Sequence, residues 1–99
     1  MILDHVAIQV KNVSSSTEWY KENLNAKVLY IDETWAMLDV EGTKLALTIP
    51  SQHPPHLAFR VNELQKIPSP AGKHRDGSVY QYIRDPDGNT IEYVYYPQE

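Results

Sequence analysis

A chain of 99 residues, 41% apolar and 22% charged, with nine Lys and Arg against thirteen Asp and Glu (formal net charge -4), has the composition of one small globular domain. The acidic balance argues against a nucleic-acid partner, which calls for a basic stripe, and no apolar run approaches the roughly 20 residues of a membrane span. Without cysteine, the chain has no disulfide, thiolate chemistry or sulfur-ligated metal, so a metal must be held by His, carboxylate or water.

In chain order, Ile2 to Val10 alternates as a strand, with Val6, Ile8 and Val10 on one face and His5, Ala7 and Gln9 on the other. Ser15 and Glu18 stand at capping-box spacing and predict a helix start, with Trp19, Tyr20 and Leu24 as its apolar stripe and Asn25 as its stop. Strands are predicted over 27–31, 35–40 and 44–49, with turns at Asp32-Glu33 and Glu41-Gly42. Ser51 to Pro55 reads as a linker, because consecutive prolines cannot continue a central strand. A strand from His56 to Val61 follows, then a brief helix ended by Pro68 and Pro70, and a loop from Ala71 to Gly77 that includes a vestigial strand. Strands over 78–84 and 90–95, joined by Asp85-Pro86-Asp87-Gly88-Asn89, complete the chain.

The chain also repeats itself. His5-Val-Ala-Ile-Gln-Val10 is echoed by His56-Leu-Ala-Phe-Arg-Val61, and Glu41-Gly-Thr-Lys-Leu-Ala46 by Asp87-Gly-Asn-Thr-Ile-Glu92. The reading is α+β: two βαβββ modules, 1–50 and a shortened 56–99, joined by the linker 51–55 into one domain with a curved, funnel-like mixed sheet and the helices outside. In each opening strand the more hydrophobic face (Leu57, Phe59 and Val61 in the second) is expected to pack on its helix. His5 and His56 then occupy equivalent places on the other face. If opening and closing strands of a module are neighbours, His56 and Glu92 converge, with His5 opposite. Two imidazoles and one carboxylate form a facial triad suited to Fe(II) or Mn(II), with positions left for substrate and oxygen.

Asp4-His5-Val6-Ala7-Ile8, Pro55-His56-Leu57-Ala58-Phe59 and the segment from Tyr82 to Glu92 resemble the vicinal oxygen chelate superfamily, which includes glyoxalase I, fosfomycin- and bleomycin-resistance proteins and extradiol dioxygenases. The likeness covers nearly the whole chain. It implies a divalent metal, Fe(II) or Mn(II) first and Zn or Ni otherwise, on His5, His56 and Glu92, chelated by adjacent oxygens of a small substrate. Glyoxalase I-like members carry a fourth, carboxylate ligand where this chain has Ala46, which counts against that chemistry. Gly72-Lys73-His74 is similar to the Gly-Arg-His segment of extradiol enzymes, and Tyr82 matches their active-site Tyr. The resemblance thus implies catalytic roles for His74 in proton transfer and for Tyr82 at the substrate oxygen. A second His of extradiol enzymes is missing here, where Thr43 or Lys44 stands.

Substrate contacts are expected from Arg60 and Tyr80. A glyoxalase- or fosfomycin-type lyase or transferase is the alternative, as is a metal-free bleomycin-resistance-like binding protein relying on Trp35, Tyr80 and Tyr82. His53, in the Pro-rich segment, fits linker duty. A curved four-stranded module leaves an exposed edge that needs a partner, so a homodimer is expected. The start, Met1-Ile2-Leu3-Asp4-His5, lacks the basic region of a signal peptide, so cytoplasmic residence is expected.

Overall fold

The computed structural model describes residues 1–97, so the last two residues of the predicted second module lie outside them. The fold is α+β, with one α-helix and eight strands in mixed pairing among the described residues. Two compact units are distinguished: residues 5–55, and residues 1–4 together with the chain from His56 onward.

In the 5–55 unit, β1 (Ile2–Gln9) leads to helix α1 (Val13–Leu24), β2 (Lys27–Ile31), β3 (Trp35–Val40) and β4 (Thr43–Thr48), ordered β2-β3-β4-β1. β1 and β4 run parallel, and the other pairs are antiparallel. The helix starts earlier than its capping-box spacing predicts. Asn12 is the N-cap, its Oδ1 accepting from Ser15 N–H at 2.9 Å, which places Ser15 inside the first turn. Asn25 does stop the helix, in the left-handed conformation at φ 55°. Val13, Ala26, Ala36, Leu38 and Leu47 form the buried cluster under α1, joined by Ile8, Val10 and Tyr20. Each fully buried Leu contributes roughly 1.5–3 kcal/mol there. The β3–β4 hairpin turns on Glu41 and Gly42, both at positive φ, and Gly42 N–H donates to Asp39 Oδ1 at 2.8 Å.

The other unit contains residues 2–4 of β1, then β5 (His56–Arg60), a single 3-10 turn (Leu64–Lys66), β6 (Gly72–Lys73), β7 (Val79–Arg84) and β8 (Thr90–Tyr95). Their order is β5-β8-β7-β6, with β5 and β8 parallel and the rest antiparallel. The vestigial strand expected between 71 and 77 is β6. The helix of this module shrinks to three residues, none of them buried, as Pro68 and Pro70 prevent continuation. One expectation is thereby corrected. Leu57 does not pack on a helix; it is 42% exposed, while Ala58 beside it on the opposite face is fully buried. The Asp85 carboxylate organises the last turn by accepting from the N–H groups of Asp87 and Asn89 and from Asn89 Nδ2, and these bonds lower its pKa.

Candidate metal centre

Parallel pairing of β5 with β8 sets His56 opposite Thr90 and Ala58 opposite Glu92. Antiparallel β7 then puts Tyr82 opposite Glu92 and Tyr80 opposite Val94. Because side chains alternate along a strand, His56, Glu92, Tyr82 and Tyr80 share one face. The opening and closing strands of this module are neighbours, as the convergence of His56 and Glu92 requires.

Glu92 is 1% exposed, the most buried charged side chain among the described residues. Burying a carboxylate is costly unless its oxygens are partnered, and both are. Oε1 lies 3.1 Å from Nε2 of His56, and Oε2 accepts from Nε2 of His74 at 2.6 Å. Such a short N–H···O contact is characteristic of a charge-assisted bond. The His56 ring meets Tyr82 edge-on at 5.2 Å, and Tyr80 meets Tyr82 similarly, also at 5.2 Å. Burial, then the negative charge of Glu92, then Tyr80 push the Tyr82 phenol well above its ordinary pKa, so it stays protonated and can donate a hydrogen bond at neutral pH.

His74 follows β6. Its N–H donates to Ser78 O at 2.9 Å, and Asp76 Oδ1 accepts from the N–H and Oγ of Ser78, closing the hairpin that carries the ring. The ring stacks on Tyr80 with centroids 3.8 Å apart and planes 9° from parallel. Arg60 is exposed, on the His56 and Ala58 face of β5. In the 5–55 unit, His5 is buried on β1, and the backbone carbonyl of His53 accepts from Gln9 Nε2 and Thr48 Oγ1. Trp35 stacks on Tyr30 at 4.7 Å.

His5, His56 and Glu92 are each buried, and within the unit that carries β5 and β8 the His56 imidazole and the Glu92 carboxylate are donors of the kind that bind a divalent ion. The His56–Glu92 separation fits such an ion, because two donors at right angles, each bonded at about 2.1 Å, stand about 3 Å apart. His74 contacts the other carboxylate oxygen, Oε2, and so satisfies the second acceptor of the buried group. The sequence names Gly72 only as part of the Gly72-Lys73-His74 segment; its place under the Tyr80 ring is visible in the structure alone.

A fold of this topology, carrying a buried His and carboxylate donor set, defines a class. A sequence model of the Glyoxalase/Bleomycin resistance protein/Dioxygenase superfamily matches residues 2–93, and the chain belongs to that superfamily. Among solved structures it is similar to methylmalonyl-CoA epimerase from Mycobacterium tuberculosis, at 22% identity and a TM-score of 0.80, covering 97% of this chain and 88% of that one. It is also similar to Streptomyces coelicolor methylmalonyl-CoA epimerase in complex with 2-nitronate-propionyl-CoA, at 17% identity and a TM-score of 0.76 over 99% of both chains. A superfamily member from Vibrio splendidus 12B01 aligns at 12% identity and a TM-score of 0.71, covering 92% of this chain and 95% of that one. No curated protein sequence matches. No helix among the described residues is long and apolar enough to cross a membrane.

Proposed function

We propose that the protein is a metal-dependent enzyme of the vicinal oxygen chelate type, with His5, His56 and Glu92 holding one divalent ion and a small substrate presenting two neighbouring oxygens. Ring cleavage of a catechol-like diol by O2 is its most specific form, with Fe(II) or Mn(II) as the ion. The observation that carries the reading is the Glu92 carboxylate, almost fully buried and held between two imidazoles, 3.1 Å and 2.6 Å away. The repeat supports His5 as the third ligand, since it begins the first module as His56 begins the second.

When bound, such an ion supplies Lewis acidity toward the chelated oxygens. His56 and Glu92 hold it through Nε2 and Oε1. His74 Nε2–H keeps Oε2 occupied, which fixes the plane of the carboxylate. The protonated Tyr82 hydroxyl donates to a substrate oxygen and orients it. Arg60, exposed on the same face, meets an anionic substituent at the rim. The same reading includes a homodimer, supported by the exposed apolar side chains of the edge strand β2 (Val28, Leu29, Tyr30 and Ile31), and cytoplasmic residence.

A second reading, proton transfer at a carbon beside a carbonyl, is favoured by the engagement of His74 with Glu92, which leaves its Nε2 committed rather than turned toward an oxygen intermediate. The likeness to two methylmalonyl-CoA epimerase structures supports the same reading. Elemental analysis of protein reconstituted with Fe(II) or Mn(II) tests the common premise, with one equivalent expected in the wild type and none in His56→Ala or Glu92→Ala. Oxygen uptake with a panel of catechols then supports ring cleavage. Solvent deuterium uptake by carbonyl substrates without oxygen consumption supports the second reading. Metal-free protein that still binds planar aromatics overturns both in favour of a binding protein.

A further inference from the structure

The Tyr80 ring lies against the backbone of β6. Gly72 is directly opposite Tyr80 across the β6–β7 pair. A Cβ at Gly72 would stand 2.8 Å from Tyr80 Cζ, 2.9 Å from Cε1 and 3.0 Å from the hydroxyl oxygen, so only a residue without a side chain lets the ring lie there. Two positions along the chain, the His74 ring stacks on the same phenol at 3.8 Å and 9°. His74 ends in the 2.6 Å bond to Glu92. Gly72, Tyr80, His74 and Glu92 therefore form one chain of contacts from an edge strand to the buried carboxylate.

We propose that Tyr80 is a positioning residue rather than a substrate contact: its ring, seated on Gly72, sets the plane of the His74 imidazole and so aims Nε2–H at Glu92. His74 follows a two-residue strand at the sheet edge and is only partly buried, and the stacked Tyr80 ring bears directly on its side-chain torsions. A parallel aromatic face at van der Waals distance removes ring rotation about those torsions at little entropic cost, because a phenol has few rotatable bonds of its own. The role belongs to the ring and not to the hydroxyl. The inference deepens the reading of Glu92 as a ligand but is testable without any metal.

The test is the proton NMR spectrum of the metal-free full chain, in which the short Nε2–H···O bond gives an imidazole proton resonance far downfield, assigned by its absence in His74→Gln. Tyr80→Phe is expected to keep this resonance. Tyr80→Leu and Gly72→Ala are expected to lose it or broaden it beyond detection while retaining the wild-type far-UV circular dichroism. Gly72→Ala covers the case in which Tyr80→Leu fails to fold. The inference is overturned if both Tyr80→Leu and Gly72→Ala retain the signal, or if Tyr80→Phe loses it, which would assign the role to the hydroxyl. It is equally overturned if the wild type shows no such proton. Failure of the metal reading registers separately, as absence of metal on elemental analysis, and leaves these spectra unchanged.

Discussion

Ala46 and Glu92 hold the same register position in their two modules. Ala46 pairs with Ala7 across the parallel β1–β4 ladder, and Glu92 pairs with Ala58 across the parallel β5–β8 ladder. Ala7 and Ala58 each lie two residues after the histidine that opens their strand. The two slots are equivalent in register, and only the second carries a carboxylate. The methyl group of Ala46, 4% exposed, needs no partner, whereas Glu92 requires two.

That asymmetry predicts the outcome of Ala46→Glu. In metal-free protein a new carboxylate at this buried position raises its own pKa and costs about 2–4 kcal/mol. Thermal melting with and without Mn(II) checks it: the variant is expected to melt lower than the wild type without metal, and to gain more on metal addition. Equal melting in both conditions contradicts the expectation.

His74 and Glu92 are expected to separate as outer partner and ligand. His74→Ala removes one hydrogen bond from the carboxylate and should weaken Mn(II) binding about 10- to 100-fold. Glu92→Gln removes the anionic donor itself and should reduce binding below detection at millimolar metal. Titration calorimetry with Mn(II) ranks the two. Comparable losses would mean that His74 is itself a ligand.

Much of this architecture is legible in the sequence because it rests on periodicity and duplication. The alternation through His5 and through His56 marks two opening strands, and the echo of Glu41-Gly42 in Asp87-Gly88 marks two closing hairpins; the β5–β8 register brings His56 and Glu92 onto one face. What depends on a single side chain competing with a neighbour is less legible. Ser15 and Glu18 have the better capping pattern, yet Asn12 caps the helix because Val13, one residue later, is buried in the core under it. The exposure of Leu57 follows from a helix that two prolines cut to one turn. The His74–Glu92 bond depends on a two-residue edge strand and a stacked ring, neither of which has a period to read.

Thr17 offers a test of the core under α1. Its Oγ1 is buried with no hydrogen-bond partner among the described residues, while the side chain faces the sheet side of the helix. Val has nearly the same shape and a similar helix propensity. Thr17→Val should therefore stabilise the protein by about 1 kcal/mol, the cost of an unmade hydrogen bond. Urea unfolding midpoints measure it, and a destabilised variant would show that the hydroxyl has a partner in solution.

Asp32 gives the β2–β3 turn its dependence on pH. Its carboxylate accepts from Tyr30 Oη at 2.6 Å, from Thr34 N–H at 2.7 Å, from Trp35 N–H at 3.0 Å and from Thr34 Oγ1 at 2.9 Å. These bonds, the Tyr30 one foremost, hold its pKa well below the ordinary carboxylate range. A depressed folded-state pKa means that the unfolded chain binds the proton more readily. The stabilisation is then complete above the unfolded value of about 3.9 and is lost as pH falls from there toward the folded value. Asp32→Ala should consequently be less stable than the wild type at pH 6, and the gap between the two unfolding midpoints should narrow steadily below about pH 4. A gap that stays constant down to pH 2.5 would show that the turn is held by its backbone bonds alone, such as Asp32 N–H to Trp35 O at 2.9 Å.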